Sequence, residues 1–358
     1  MKIAFVIGSL NFSGAEKVLS IVASELQKIG NEIHVILLQK EMGTTGSENG
    51  FITYGANATG SSKVKRLFSR WSAIRRVVSN INPDVVVSFG SVCNVNTIAA
   101  MLGKKIPLVI CERNDPNFDP RKQTEKQIRR MLYPFANGYV FQTERIKEYF
   151  PENIQEKAAV IPNPIIDSGV RWSLQNASKK IVSIARLDDF QKDQSSMIRA
   201  FAMFVANHSD YTMELYGDGP DKDKYLDLIQ KLGMDGRIFL PGKTNDPIKI
   251  LAESEIFLLT STYEGMPNAL MEAMSVGVPC ISTDCGGGGA FDLTEKYGAG
   301  LLVPCGNVEK IADALSRLAD DDELKEDLSR KSVRINSILG REIVSGQWME
   351  YLKAIKVR

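Results

Sequence analysis

Residues 256–272 hold two adjoining patterns: the apolar run Ile256-Phe257-Leu258-Leu259 and, after a polar turn, Glu264-Gly265-Met266-Pro267-Asn268-Ala269-Leu270-Met271-Glu272. A short apolar run bounded by turn residues reads as a buried strand. Pro267 suits the first turn of a helix, where its missing N–H costs nothing. A strand leading directly into a helix is half of a βαβ unit, the building block of parallel sheets. The N–H groups of Asn268 and Ala269 would face outward at the positive end of that helix, a terminus that binds phosphate. Glu264 precedes the helix and Glu272 lies inside it. Ionised carboxylates around such a turn accept bonds from sugar hydroxyls, although the same pattern also describes two surface glutamates beside a helix start.

The alternation extends in both directions. Ile181–Ile184, Met213–Tyr216, Ile238–Leu240 and Cys280–Thr283 read as further strands of the same series. An earlier series comprises Ile3–Ile7, Ile33–Leu38, Val85–Ser88, Leu108–Cys111 and a run near Tyr139–Gln142. Between the first two lies Ala15–Ile29, whose Val18, Leu19, Val22 and Leu26 recur at helical spacing, with Ser13 as cap and Gly30 as stop. Residues 41–62, rich in Gly, Thr, Ser and Asn, read as a loop. Ile161-Pro162-Asn163-Pro164, leading to Ser178, interrupts regular structure and separates the two series. From Val308 onward the pattern is mostly helical, and Trp348, Tyr351 and Leu352 mark one packing face. Two doubly wound α/β domains follow, with ligands expected at the carboxyl ends of their strands.

Composition narrows the function. The chain has 358 residues, 44% hydrophobic and 24% charged, with a formal net charge of +1, which argues against a nucleic-acid partner. No stretch approaches the length of a membrane-spanning helix. Met1-Lys2 and the apolar run to Leu10 imitate a signal peptide. The run is short and passes into Asn11 and Ser13 without a cleavage site, so it is expected to be a strand. Five cysteines without a C-x-x-C pair fit a reducing cytoplasm. Charge is uneven: residues 1–165 hold 21 basic and 14 acidic side chains, the remainder 23 and 29. The excess gathers at Lys63, Lys65, Arg66, Arg70, Arg75 and Arg76, among Leu67, Phe68, Trp71 and Ile74, and at Arg121, Lys122, Lys126, Arg129 and Arg130. The first cluster reads either as a helix lying on an anionic membrane or as a solvated helix with its aromatics in the core.

Several signatures fail. Gly242-Lys243-Thr244 ends like a phosphate-binding P-loop, but Arg237 stands where that loop needs glycine. No G-x-G-x-x-G follows the first strand. With His34 and His208 as the only histidines, a three-histidine metal centre or a histidine charge relay is not expected. Other features fit together better. Arg186 and Lys192 follow Ile181–Ile184, and two cations across such a loop suit a diphosphate. Gly217-Asp218-Gly219 closes the next strand, where small residues admit close backbone approach.

Together, Ser13-Gly14-Ala15-Glu16, Arg186 with Lys192, Gly217-Asp218-Gly219 and Glu264-x7-Glu272 resemble the retaining glycosyltransferases of the GT4 family, and the likeness spans nearly the whole chain. The resemblance implies the GT-B fold, two Rossmann-like domains facing across a cleft. Residues 1–165 would form the acceptor domain and 166–340 the nucleotide-sugar donor domain, with 341–358 a helix returning to the first. It implies transfer from a nucleotide diphosphate sugar without a required metal or other cofactor. Arg186 and Lys192 would neutralise the departing diphosphate, and Glu264 would hold the donor sugar. Asn268 and Ala269, beside Met266 and Pro267, would bind phosphate through the backbone, and Glu272 the ribose. Ser13 and Gly14 would close over phosphates or acceptor, Gly217 would admit the donor, and Gly242 and Lys243 would lie near the nucleobase.

One departure concerns selectivity. Relatives carry a histidine after the fourth strand, where this chain has Glu112-Arg113-Asn114-Asp115. Arg113, with Asn114, either replaces that sugar contact, or serves an acceptor phosphate, or forms a surface ion pair with Glu112 or Asp115. The expected function is a cytoplasmic, metal-independent hexosyl- or N-acetylhexosaminyltransferase, with UDP-sugar as donor. Its acceptor would be lipid-linked or a glycan, with peripheral contact at the inner face of the plasma membrane. The rivals are a UDP-sugar epimerase of the same fold and a non-catalytic nucleotide-sugar-binding protein.

Overall fold

Ile3, Phe5 and Val6 are fully buried, as befits a central parallel strand covered on both faces. They belong to β1 (Lys2–Ile7) in a computed structural model that describes residues 1–10, 14–40, 45–48 and 50–357. The stretch resembling a signal peptide is therefore the middle of a sheet. The chain divides into two units, Met1–Pro164 with Arg341–Arg358, and Ile165–Gly340.

The first unit adds β2 (Glu32–Leu37), β3 (Thr45–Glu48), β4 (Phe51–Gly55), β5 (Val85–Phe89), β6 (Leu108–Cys111), β7 (Gly138–Phe141) and β8 (Ala158–Val160). Their order is β3-β4-β2-β1-β5-β6-β7-β8, parallel except for the antiparallel β3–β4 pair. Residues 41–62, expected to be a loop, thus supply two strands within the described part. Phe51 and Thr53 turn inward while Ile52 is half-exposed, an alternation masked by the polar, glycine-rich composition around it. Helix Gly14–Lys28 buries Val18, Leu19, Val22 and Leu26. The expected cap, Ser13, lies outside the described residues.

Helix Lys63–Ile81 starts at Ser62, whose hydroxyl accepts the Lys65 N–H, and stops at Asn82 in the left-handed conformation. It buries Ala73, Ile74, Val78 and Ile81. Its aromatics do not all face the core: Phe68 is 61% exposed, while Trp71 is half-buried and donates to Asn96 Oδ1 at 3.2 Å. Within the second basic cluster, Arg129 is buried, donating to the Asp119 and Pro116 carbonyls at 2.7 and 2.9 Å. Helix Arg341–Val357 packs within this unit, with Trp348 stacked on Phe89 and the Tyr351 hydroxyl accepting the Tyr139 N–H at 2.8 Å. Among the described residues no helix is long and apolar enough to cross a membrane.

The second unit contains β9 (Ser178–Ile184), β10 (Thr212–Tyr216), β11 (Ile238–Gly242), β12 (Ser254–Leu259), β13 (Cys280–Asp284) and β14 (Leu301–Pro304). The order β11-β10-β9-β12-β13-β14 is parallel throughout. Connections leave β9 to one side through β10 and β11, then return to the other side through β12. The β9/β12 boundary is therefore a topological switch point, where neighbouring loops diverge and leave room for a ligand. The β1/β5 boundary plays the same part in the first unit.

Candidate functional site

The loops after β9 and β12 are held together by their own polar groups. Thr260, directly after β12, donates its hydroxyl to the carbonyls of Lys192 and Asp193 at 2.9 and 3.0 Å. The Thr262 N–H donates to the Gln191 carbonyl at 2.8 Å. Asp193 takes a left-handed φ of 45° and caps helix Gln194–Phe204 by accepting the Ser196 N–H at 3.3 Å. These bonds fix the backbone that carries Lys192, whose ammonium pairs with Glu264 Oε1. The Ser261 hydroxyl donates to the same oxygen at 2.9 Å. Both charged side chains are largely buried, at 17% and 11% exposure. Arg186, by contrast, is exposed and has no side-chain partner among the described residues.

Helix Asn268–Val276 begins beside this pair. Pro267 sits at its N-cap rather than inside its first turn, so the proline precedes the N–H groups of Asn268 and Ala269 instead of replacing one of them. Met266 is buried, and Asn268, Ala269 and Glu272 are partly exposed. Lys243 is exposed at the end of β11, while the Gly242 carbonyl accepts the Gly217 N–H at 2.9 Å.

Glycine is required where flanking loops press on these two. A Cβ on Gly217, whose φ is +146°, would lie 1.8 Å from the Ala185 carbonyl oxygen. A Cβ on Gly287 would lie 1.8 Å from the carbonyl oxygen of Glu264 itself. The second contact is absent from the expectations above, although four consecutive glycines, Gly286 to Gly289, stand directly after a strand and its turn.

In the first unit, Gly14 opens its helix, and Glu16 is buried and accepts the Ser9 hydroxyl. At the carboxyl end of β6, Asn114 Oδ1 accepts the Asp115 N–H at 3.0 Å, a turn-forming bond. Arg113 makes no ion pair with Glu112 or Asp115, which corrects that alternative. Its guanidinium lies over the Phe89 ring and donates to Asn163. Glu112 instead accepts the Tyr133 hydroxyl, and burial, the largest influence, raises its pKa to about 7. His34 bonds Tyr54 and Glu32 on the first sheet, and His208 stacks on Phe204, so neither belongs to the β9/β12 loops. Among the described residues no group of three or more His, Cys, Asp or Glu is placed to hold a metal ion.

Comparison with known proteins agrees with this architecture. Residues 12–168 match the family described as Glycosyltransferase Family 4, and residues 170–334 that described as Glycosyl transferases group 1. The chain is 27% identical over 245 residues to an uncharacterized glycosyltransferase of Methanocaldococcus jannaschii, an alignment covering 62% of this chain and 60% of the relative. It is 25% identical, with 99% of each chain covered, to the GalNAc-alpha-(1->4)-GalNAc-alpha-(1->3)-diNAcBac-PP-undecaprenol alpha-1,4-N-acetyl-D-galactosaminyltransferase of Campylobacter jejuni. The structure of Anabaena HepE in complex with UDP and glucose superposes with a TM-score of 0.84 over 99% of both chains, at 20% identity. With the two family matches running almost end to end and the fold shared, the chain belongs to the GT4-type glycosyltransferases of GT-B fold.

Proposed function

We propose that this glycosyltransferase uses a UDP-sugar, transfers its hexosyl or N-acetylhexosaminyl group with retained configuration, and requires no metal. Its acceptor is a lipid-linked or glycan saccharide in surface polysaccharide or glycoconjugate assembly. The observation that carries this reading is the grouping at the β9/β12 switch point: uncompensated Arg186, the Lys192–Glu264 pair and the start of helix Asn268–Val276. UDP is preferred because HepE was solved with it. A lipid-linked acceptor is supported by the Campylobacter relative.

In this reading Arg186 faces the diphosphate, and the N–H groups of Asn268 and Ala269 bind a phosphate oxygen. Lys192 lends part of its charge to the leaving group while orienting Glu264 toward the donor sugar. Glu272 holds the ribose hydroxyls, Gly217 admits the phosphates, and Gly242-Lys243 flank the base. Arg113 with Asn114 contacts the acceptor. The sugar–phosphate bond breaks with its electron pair leaving on the diphosphate. The acceptor oxygen bonds the same face of the anomeric carbon, and its proton passes to the departing phosphate oxygen. Catalysis then comes from positioning and leaving-group charge stabilisation.

The exposed Val64, Leu67 and Phe68 beside Lys63, Lys65 and Arg66 suit contact with the anionic cytoplasmic face of a membrane. Binding to anionic vesicles at low salt, weakened in Phe68→Ser, is the expected result.

The central test is a thermal-shift panel of UDP, GDP, ADP and their sugar conjugates, with and without EDTA, at concentrations above the dissociation constant. Stabilisation by UDP compounds that survives chelation, with slow release of UDP from the matching donor, is expected. UDP-sugar binding without any UDP release would favour a non-catalytic binder, and interconversion of the bound sugar would favour an epimerase.

A further inference from the structure

Arg113 is a partly buried cation whose hydrogen-bonding partner is neutral. Its Nη2 donates to the amide oxygen of Asn163, which also accepts Gln142 Nε2 at 2.7 Å. Its Cζ lies 5.3 Å from the centroid of Phe89, so the ring face supplies only a weak counter-field. Nε and Nη1 are buried and have no hydrogen-bond partner among the described residues. Neither neighbouring carboxylate pairs with it: Glu112 Oε1 takes the Tyr133 hydroxyl, Asp115 Oδ1 takes the N–H and side-chain amide of Asn117 at 2.8 and 3.1 Å, and the second oxygen of each is buried without a hydrogen bond to Arg113. Burial lowers the pKa of Arg113 to about 10, the mark of a charge held without compensation.

Such a placement is unfavourable in the protein alone. A buried guanidinium without a carboxylate loses hydration and regains little, and unmade N–H bonds add their own penalty. Hydroxyl groups would complete the hydrogen bonds and leave the charge uncompensated, whereas an oxyanion answers both needs. The position, at the carboxyl end of a strand in a doubly wound sheet, is one where ligands enter this architecture.

We propose that Arg113 seats an oxyanion of the acceptor, supplied by the diphosphate of a lipid linkage or by the carboxylate of an acidic sugar. The identity of the ligand as an acceptor rests on the glycosyltransferase reading; the anion seat itself does not. Arg113 then acts as a specificity-determining residue, and a neutral acceptor lacking that oxyanion binds less tightly.

The test uses the full chain with saturating UDP, so that added anions do not compete at the nucleotide site. Inorganic pyrophosphate and glucuronate are titrated separately by calorimetry, the first probing the diphosphate source and the second the sugar acid. Wild type is expected to bind one of them. Arg113→Met should lose about tenfold or more in that affinity, as for loss of charge-assisted bonds, while keeping its UDP affinity. Its ligand-free Tm should rise, because an apolar side chain of similar length removes an uncompensated charge. A purely structural arginine would give the opposite sign. Binding of neither probe by wild type, or unchanged probe affinity in Arg113→Met, overturns the proposal. Arg113→Gln serves if the methionine variant does not fold. Failure of UDP to bind while a probe still binds through Arg113 would overturn the nucleotide-sugar reading and leave the anion seat in place.

Discussion

Removing Arg186 and removing Lys192 should have different consequences, because only one of the two cations has a carboxylate beside it. Arg186 is exposed and has no side-chain partner among the described residues, so Arg186→Ala should leave Tm unchanged while lowering kcat by roughly a hundredfold, on the order of 3 kcal/mol of transition-state stabilisation. Lys192→Ala strands Glu264 with the Ser261 hydroxyl alone, so turnover and stability should both fall, the latter by about 3 kcal/mol. Steady-state kinetics with parallel melting curves separate the two cases. Glu112 offers a pH test. Its pKa of about 7 lies above the ordinary 4.5, so between those values the native state holds a proton that the unfolded chain releases. Stability should therefore decline as pH rises through that window, and Glu112→Gln should flatten the decline in urea midpoints measured across it. The residue types of the candidate site were legible from the sequence alone because Arg, Lys, Glu and Gly each stood just past an apolar run. Their pairing was not, since Lys192 and Glu264 meet across 72 positions and only the parallel β9–β12 contact brings them together.

At the scale of elements, the second unit carries an ion pair fastening a helix to the sheet. Lys325, on helix Asp322–Ser332, reaches Glu255 Oε1 of β12 at 2.5 Å, and the Tyr211 hydroxyl donates to the same oxygen at 2.6 Å. Both ionic side chains are almost wholly buried. Lys325→Met leaves Glu255 charged with one hydrogen bond and should cost about 3 kcal/mol in urea unfolding. Adding Glu255→Met should recover most of that loss, because an apolar pair replaces an unpaired charge. None of this stood out in the sequence, where Lys325 looks like any lysine of a charged helix. Central strands were legible because burial on both faces gives each an unbroken apolar run, residues 3–7 in β1, 85–87 in β5 and 256–259 in β12. Strands at and next to the edges were not: β3 and β4 lie in a polar, glycine-rich stretch, and β8 is only Ala158–Val160.

For the molecule as a whole, alternation of strand and helix disclosed two parallel sheets, while strand order needed the fold itself. Each unit has its own apolar core, one including Val6, Val86, Ile110 and Tyr139, the other Ile181, Phe201, Met213 and Leu258. Separate cores permit separate unfolding. Trp348 provides the test, because it lies near the end of the chain yet is fully buried in the unit that begins at Met1, stacked on Phe89 at 5.6 Å. Trp348→Ala should remove about 4 kcal/mol from that unit, the usual range for deleting a buried tryptophan. If UDP binds the second unit, it should raise the other transition by mass action. Calorimetry of wild type and variant, with and without UDP, is then expected to show two responses: one transition lowered by the substitution and indifferent to UDP, the other raised by UDP and indifferent to the substitution. One transition that moves with both would mean that the units unfold together, and the loss at Trp348 would then weaken nucleotide-dependent stability as well.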